Sequence, residues 1–275
     1  MSKNTTISLA VLSGKGGVGK SNLALNICYA LNQMGYPVLL IDCDMGLANM
    51  DVLLGIAPQQ HMQDILVSNR DPAEVLVPIG NAGGARLDLM PANSGMAEFA
   101  ELDVAARTIL REKINPLASG YDFVCLDIGA GISGTATGFA AMTALRIIVV
   151  TPEPTSLTDS YAMIKVLSSR HKVQDFYVLV NQVESPAEGK QTYNRLSAVC
   201  KRFLGFAPAY LGEVRSDRIV TEAVRKQKPF IQLAPLSPAS VDCMALANSL
   251  QRLREGMLRM EEISSPLTDS DRRDF

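Results

Sequence analysis

"SGKGGVGKSN", residues 13–22, follows the apolar run "ISLAVL" (7–12) and opens a helix-length periodic segment (20–34). Strand, glycine-rich turn and helix in that order satisfy the pattern G-x-x-x-x-G-K-[ST]. The glycines let backbone N–H groups converge on phosphate oxygens, and the helix that starts near Gly19 adds its positive end. Lys20 then reaches the β- and γ-phosphates, while the Ser21 hydroxyl is placed to ligate Mg²⁺. That chemistry is complete with one lysine. Lys15, in the middle of the glycines, is surplus to it.

The alternation continues along the chain. "PVLLID" (37–42), "LDLMPA" (87–92), "DFVCLD" (122–127), "RIIVVT" (146–151) and "FYVLVN" (176–181) read as strands, and 100–115, 135–145, 156–170 and 189–204 as helices. The strands are nearly unbroken apolar runs, the mark of strands covered on both faces. The fold class is therefore α/β, a doubly wound and mostly parallel sheet flanked by helices, with right-handed crossovers. Ligands of such folds bind beyond the carboxyl ends of the strands. With no linker or internal repeat, residues 1–263 read as one P-loop ATPase domain, and "SSPLTDSDRRDF" (264–275) as a flexible tail.

The loops after the strands carry the chemistry. "LLIDCDMGLANMD" puts Asp42 and Asp44 two residues apart at a strand end, where they share a face. Carboxylates there hold a metal's water shell and orient an attacking water. Asp127 closes "DFVCLD", the placement of a Walker-B aspartate that supports Mg²⁺, and the "GAG" that follows supplies flexible backbone able to sense a γ-phosphate.

Composition narrows the class. The 275 residues carry a formal net charge of -2, which argues against a nucleic-acid footprint over the whole surface but not against a local patch. No apolar run approaches the roughly 20 residues of a spanning helix, and the polar N-terminus does not resemble a signal peptide. The chain thus reads as cytoplasmic, with peripheral contact on the inner membrane's cytoplasmic face left open. Cys28, Cys43, Cys125, Cys200 and Cys243 stand singly and are expected as reduced packing residues.

With these residues in view, a P-loop bearing an early lysine, K-G-G-V-G-K-[ST], resembles the deviant Walker A of the MinD/ParA family of the SIMIBI class. "GKSN", "DCDMGLANMDVLLG" (42–55), "EPTSLTDSYAMIKVLS" (153–168) and "VLVNQVESPAEGKQTYNRLSAVCKRFL" (178–204) look like its flagellar branch, FlhG, FleN or YlxH. The resemblance implies an ATP- and Mg²⁺-dependent homodimer with two nucleotides sandwiched at its interface. It assigns the nucleotide to Gly14, Lys15, Gly16, Gly17, Val18, Gly19, Lys20, Ser21 and Asn22, with Lys15 crossing to the partner subunit's nucleotide. Lys15, Lys20 and Asp44 are the catalytic residues it implies, Asp44 positioning water. Ser21, Asp42 and Asp127 surround the metal, Asn181 reads adenine and Asp217 lies near adenosine. The implied role is a switch that sets flagellar number or placement, through a partner GTPase like FlhF or a transcription activator like FleQ. The alternative is a ParA- or MinD-type partitioning or division-site ATPase acting on DNA or membrane. A metal-delivery or reductase relative in the same fold would need a dimer-bridging cysteine pair, and the spacing of Cys28 and Cys43 does not suit one.

The chain departs from the family pattern in three places. Arg215 replaces the usual proline of V-P-x-D, which bears on Asp217; Gly129 stands in switch II where proline or alanine is common. Only Met1 to Thr6 precede the first strand, so the "DQA-x-x-L" segment that acts on FlhF in flagellar members is not carried over.

Three further stretches have two readings each. The stripe Cys243, Leu246, Leu250, Leu253, Met257 and Met260 fits one helix face, either packed on the sheet or serving as a membrane foot. Its mixed charges, Arg252, Arg254 and Arg259 against Glu255, Glu261 and Glu262, favour packing over attraction to anionic lipid. Arg218, Arg225, Lys226 and Lys228 are a solvated helix end or a DNA patch, DNA being the less favoured partner. Ser156 to Asp159 reads as a capping box, on a helix that in the family lies near the dimer and partner surface.

Overall fold

The structure, a computed structural model, describes residues 4–95, 99, 101–260 and 265–269. Eight strands form one sheet: β1 (Ile7–Leu12), β2 (Val38–Cys43), β3 (Val77–Ala82), β4 (Ala85–Met90), β5 (Phe123–Ile128), β6 (Leu145–Val150), β7 (Phe176–Val183) and β8 (Ala209–Arg215). Their order is β3-β4-β2-β5-β1-β6-β7-β8. All pairs are parallel except β3 with β4. The helices are α1 (Lys20–Gln33), α2 (Met50–Leu54), α3 (Met62–Val67), α4 (Val104–Ala118), α5 (Gly134–Ala141), α6 (Pro154–His171), α7 (Pro186–Leu204), α8 (Arg218–Arg225), α9 (Phe230–Leu233) and α10 (Pro238–Met260).

Alternation along each strand feeds two cores. Leu9 and Val11 of β1 pack with α1 and α10 on one face, and Ala10 and Leu12 with α4 to α7 on the other. That double covering explains the unbroken apolar runs. Two strands escape that signal because they are sheet edges. β3 ("VPIGNA") carries a proline and a register shift between Pro78 and Gly80, features that blunt an edge. β8 ("AYLGEVR") is only partly covered.

Two expectations change. The capping box of Ser156 and Asp159 is absent: α6 begins at Pro154, whose fixed φ suits a first helical position. Ser156 instead accepts a hydrogen bond from the Thr151 N–H at 3.0 Å, tying the helix to the end of β6. The described part of the expected flexible tail is docked. Leu267 is buried against the α4–α5 side, while α10 packs on the other face. The Asn115 side chain pairs both with the Leu267 N–H at 2.8 Å and with its carbonyl at 2.9 Å. The Thr268 N–H donates to the Met142 carbonyl, and Asp269 pairs with Arg111 at 3.0 Å.

The apolar stripe of α10 is packed rather than displayed. Cys243, Leu246 and Leu250 are buried, Leu253 and Met257 lean on the same core, and Met260 is exposed. Arg254 binds the Asp122 carboxylate and the Thr5 carbonyl. Glu261 and Glu262 lie outside the described residues. All five cysteines are buried and free, and no described helix is long and apolar enough to cross a membrane.

The docked segment is testable. Leu267→Ala should lower unfolding stability by about 2–5 kcal/mol, the range for truncating a buried leucine. Asn115→Ala should cost about 1–3 kcal/mol by orphaning backbone groups. Urea titration reads both, and wild-type midpoints would mean that 265–269 does not dock.

Candidate nucleotide site

β1, β2 and β5 end side by side, and their loops meet. β2 and β5 run in register with Asp42 opposite Asp127, so two carboxylates from different strands arrive together under the glycine loop. Lys20, the first residue of α1, lies between the loop and these acids. Its Nζ donates to Asp127 Oδ1 at 2.6 Å and to Ser21 Oγ at 3.0 Å. Lys20 is 7% exposed and Asp127 0%. Losing one member of a pair this buried costs about 3–5 kcal/mol, because the other charge is stranded.

One lysine does not saturate the pair of acids. Asp127 Oδ2 is buried and receives no hydrogen bond among the described residues. Asp42 is also buried and accepts backbone N–H bonds from Asp44 at 3.0 Å, Asn49 at 3.2 Å and Met50 at 3.3 Å. Burial first, and then the Asp127 charge, push the Asp42 carboxyl up to about 7. Burial likewise raises Asp127, against the pull of Lys20. A buried site with excess acceptor charge and an orphaned carboxylate oxygen fits a hard divalent cation with oxygen ligands. Ser21, Asp42 and Asp127 would supply that donor set.

The glycine loop itself is shaped by its neighbours. Gly17 and Gly19 hold φ of 80° and 84°, the left-handed region. A Cβ on Gly14 would overlap the Asp159 carbonyl of α6, so the loop lies directly on that helix. Gly129 answers to Asp44: a Cβ there would sit 3.1 Å from Asp44 Oδ1, so glycine lets the loop after β5 close on the loop after β2.

Lys15 points elsewhere. Its Nζ meets Glu153 Oε2 at 2.5 Å and Thr155 Oγ1 at 3.1 Å, at the start of α6 and in contact with solvent. The motif reading gave Lys15 no partner within its own chain. Glu153 and Thr155 were missed as partners, although Glu153 stands in the loop after β6 and Thr155 in the first turn of α6, beside the strand-end loops that were the right place to look.

On the other side of the loop a cleft of about 180 Å³ is lined by Gly19, Asn22, Asn181, Asp217, Val220 and Thr221, among others. Asn181, two residues before the end of β7, donates to the Val18 carbonyl at 2.8 Å, bracing the loop and facing the cleft together. Asn22 is steadied by Asn26 at 2.9 Å, which in turn accepts from the Ile231 N–H. The structure brings Asp217 to this cleft but spends its carboxylate on backbone. It caps α8 through the Ile219 N–H at 3.0 Å and takes the Ala239 N–H at 3.2 Å. Arg215 ends β8 and binds Asp242 through its side chain at 2.8 and 2.9 Å and through its backbone N–H at 2.9 Å.

A glycine cradle at a helix start, a buried lysine and paired strand-end carboxylates define a P-loop nucleotide-binding protein. The family described as "CobQ/CobB/MinD/ParA nucleotide binding domain" matches residues 9–230, and the chain belongs to it as a MinD/ParA-type ATPase. It is 37% identical over 242 residues to the antiactivator FleN of Pseudomonas aeruginosa, covering 88% of this chain and 85% of that one. It is 33% identical over 246 residues to the flagellum site-determining protein YlxH of Helicobacter pylori, covering 88% and 82%. The crystal structure of the Pyrococcus furiosus cell division ATPase MinD superposes with a TM-score of 0.75 at 21% identity, over 90% of this chain and 99% of that one.

The raised carboxyls fix a pH dependence. A carboxyl whose pKa is higher folded than unfolded makes the folded state bind more protons, so its stabilising effect is lost as pH rises. For Asp42 that window runs from 3.8 to about 7. In chelator and without nucleotide, wild type should lose about 1–4 kcal/mol more than Asp42→Asn between about pH 4 and pH 8. Parallel stability profiles from denaturant titration would refute the assignment.

Proposed function

We propose that this chain is an ATP-dependent dimerising switch that regulates flagellar number or placement and hydrolyses ATP to ADP to reset partner binding. The observation that carries the dimer is the division between two lysines: Lys20 is buried on Asp127, while Lys15 leaves the site and faces solvent. A cation exposed beside its own site is available to a second subunit's phosphates. The relatives that are a flagellar antiactivator and a flagellum site-determining protein support the flagellar role.

In this reading the loop amides from Gly14 to Ser21 and the Lys20 ammonium hold the phosphates. Ser21, Asp42 and Asp127 would hold Mg²⁺, which when bound would neutralise charge on the phosphates. Lys20 would then exchange its bond with Asp127 for phosphate oxygens. Asp44 orients the attacking water, and the loop of Gly129, which lies against Asp44, senses the γ-phosphate. The Asn181 side chain reads adenine in the adjoining cleft, where Asn22 and Asp217 line the wall. Lys15 exchanges Glu153 for the partner subunit's nucleotide, so phosphate occupancy and dimerisation become one event. The dimer then meets its protein partner, a flagellar GTPase or a flagellar transcription activator.

Three measurements bear on this. Lys15→Ala should abolish ATP-dependent dimerisation and lower turnover at least ~100-fold, by size-exclusion chromatography and phosphate release; an active monomer would sink the sandwich. Asp44→Ala should bind ATP normally yet remain dimeric and turn over at least ~100-fold more slowly, because water positioning is lost while phosphate contacts survive. Normal turnover would remove Asp44 from the mechanism. Deletion in the native organism should change flagellar number or placement by electron microscopy; an unchanged pattern would favour a partitioning role.

A further inference from the structure

α2 is five residues long and is held at both ends by groups that matter to the site. At its start, the N–H groups of Asn49 and Met50 donate to Asp42 Oδ2. The other Asp42 oxygen takes the Asp44 N–H. The loop that carries Asp44 is therefore strung between Asp42 and the first turn of α2. At its end, the Val52 carbonyl accepts from Gln227 Nε2 at 2.9 Å, across 175 positions of sequence.

Gln227 is a strained residue in a built seat. Its φ of 52° is left-handed, in a place just past α8 where glycine or asparagine is the usual choice. Gly55, which closes α2 at φ 63°, receives it: a Cβ there would lie 3.0 Å from Gln227 Oε1 and 3.1 Å from its Cβ. A costly backbone conformation kept in close approach to a glycine that is itself left-handed indicates a contact the fold maintains rather than a chance surface touch.

The far end of α8 is the base cleft. Asp217 caps the helix, and Val220 and Thr221 of its first turns line the cleft wall. Two short helices are thus linked through Gln227, from the cleft along α8 to the Val52 carbonyl of α2, and from the start of α2 to Asp42 and the Asp44 loop. This path runs outside the glycine loop.

We propose that Gln227 is a positioning residue that couples occupancy of the base cleft to the geometry of the Asp44 loop, so that a nucleotide with its base in place is hydrolysed faster than the phosphate chain alone. The inference rests on the reading of the site as one for Mg-ATP. Gln227 touches no reacting atom and acts through α2.

The experiment compares kcat for Mg-ATP with kcat for Mg-tripolyphosphate, which fills the phosphate site without a base. Each protein is its own reference, so the different leaving groups cancel between variants. Gln227→Gly relieves the left-handed strain while removing the strut, and Gln227→Asn tolerates the conformation with an amide one methylene too short. In both, the ATP-to-tripolyphosphate ratio of kcat should fall at least ~5-fold, the low end of measured couplings. KM for ATP should stay within about twofold, which separates lost coupling from lost binding. A ratio that stays at the wild-type value in both variants, with wild type hydrolysing ATP, overturns the coupling and leaves the Mg-ATP reading standing. Wild-type protein that hydrolyses neither substrate removes that reading and the coupling with it.

Discussion

Everything in this site is arranged around one electrostatic problem, two carboxylates buried side by side with one lysine against them. The parallel register that aligns β2 with β5 forces Asp42 and Asp127 together, and both are buried away from bulk solvent. Lys20 bonds one oxygen of Asp127 at 2.6 Å and leaves the other unpartnered. Backbone amides support Asp42 but bring no full charge. A cation beside Asp127 would answer the remaining deficit, and its arrival would free Lys20 for a phosphate. The same imbalance that costs the empty protein stability thus favours the bound state.

That division of charge gives the second lysine its interest. Lys20 is committed inward, whereas Lys15 rests on Glu153 and Thr155 at the start of α6. Such an exposed ion pair is worth at most about 1 kcal/mol, a weak tether that phosphates would readily outcompete. The glycine at 14, pressed on α6, holds the loop against the helix that carries this tether. Proposed dimerisation and the internal geometry of the loop are therefore matters of the same few contacts.

Much of this was legible in the sequence because strand ends are. Lys20, Ser21, Asp42, Asp44 and Asp127 each follow an unbroken apolar run, and a doubly covered parallel strand leaves no other pattern. The edges β3 and β8 were not legible, since Pro78 and the half-covered "AYLGEVR" carry no such run. Ser156 looked like a cap because its spacing to Asp159 is right, but the pattern is silent about the Thr151 N–H that claims its hydroxyl. Asp217 was placed near the nucleotide, yet its duty to Ile219 and Ala239 depends on where α10 begins. The docking of Leu267 depends on Asn115, 152 positions away, and a polar, proline-broken tail gives no hint of it. Contacts across such distances leave no local trace.

The central claim is that Lys15 completes the neighbour's site and not its own, and mixing two defective subunits tests it most directly. Lys15→Ala keeps an intact pocket with Asp44 but has no lysine to lend, while Asp44→Ala can lend Lys15 but cannot position water. If Lys15 acts across the interface, the ATP hydrolysis that each variant alone has largely lost should return on mixing, because one site of the mixed dimer regains every part. If the mixture stays as inactive as its components, Lys15 serves its own subunit and the account is wrong.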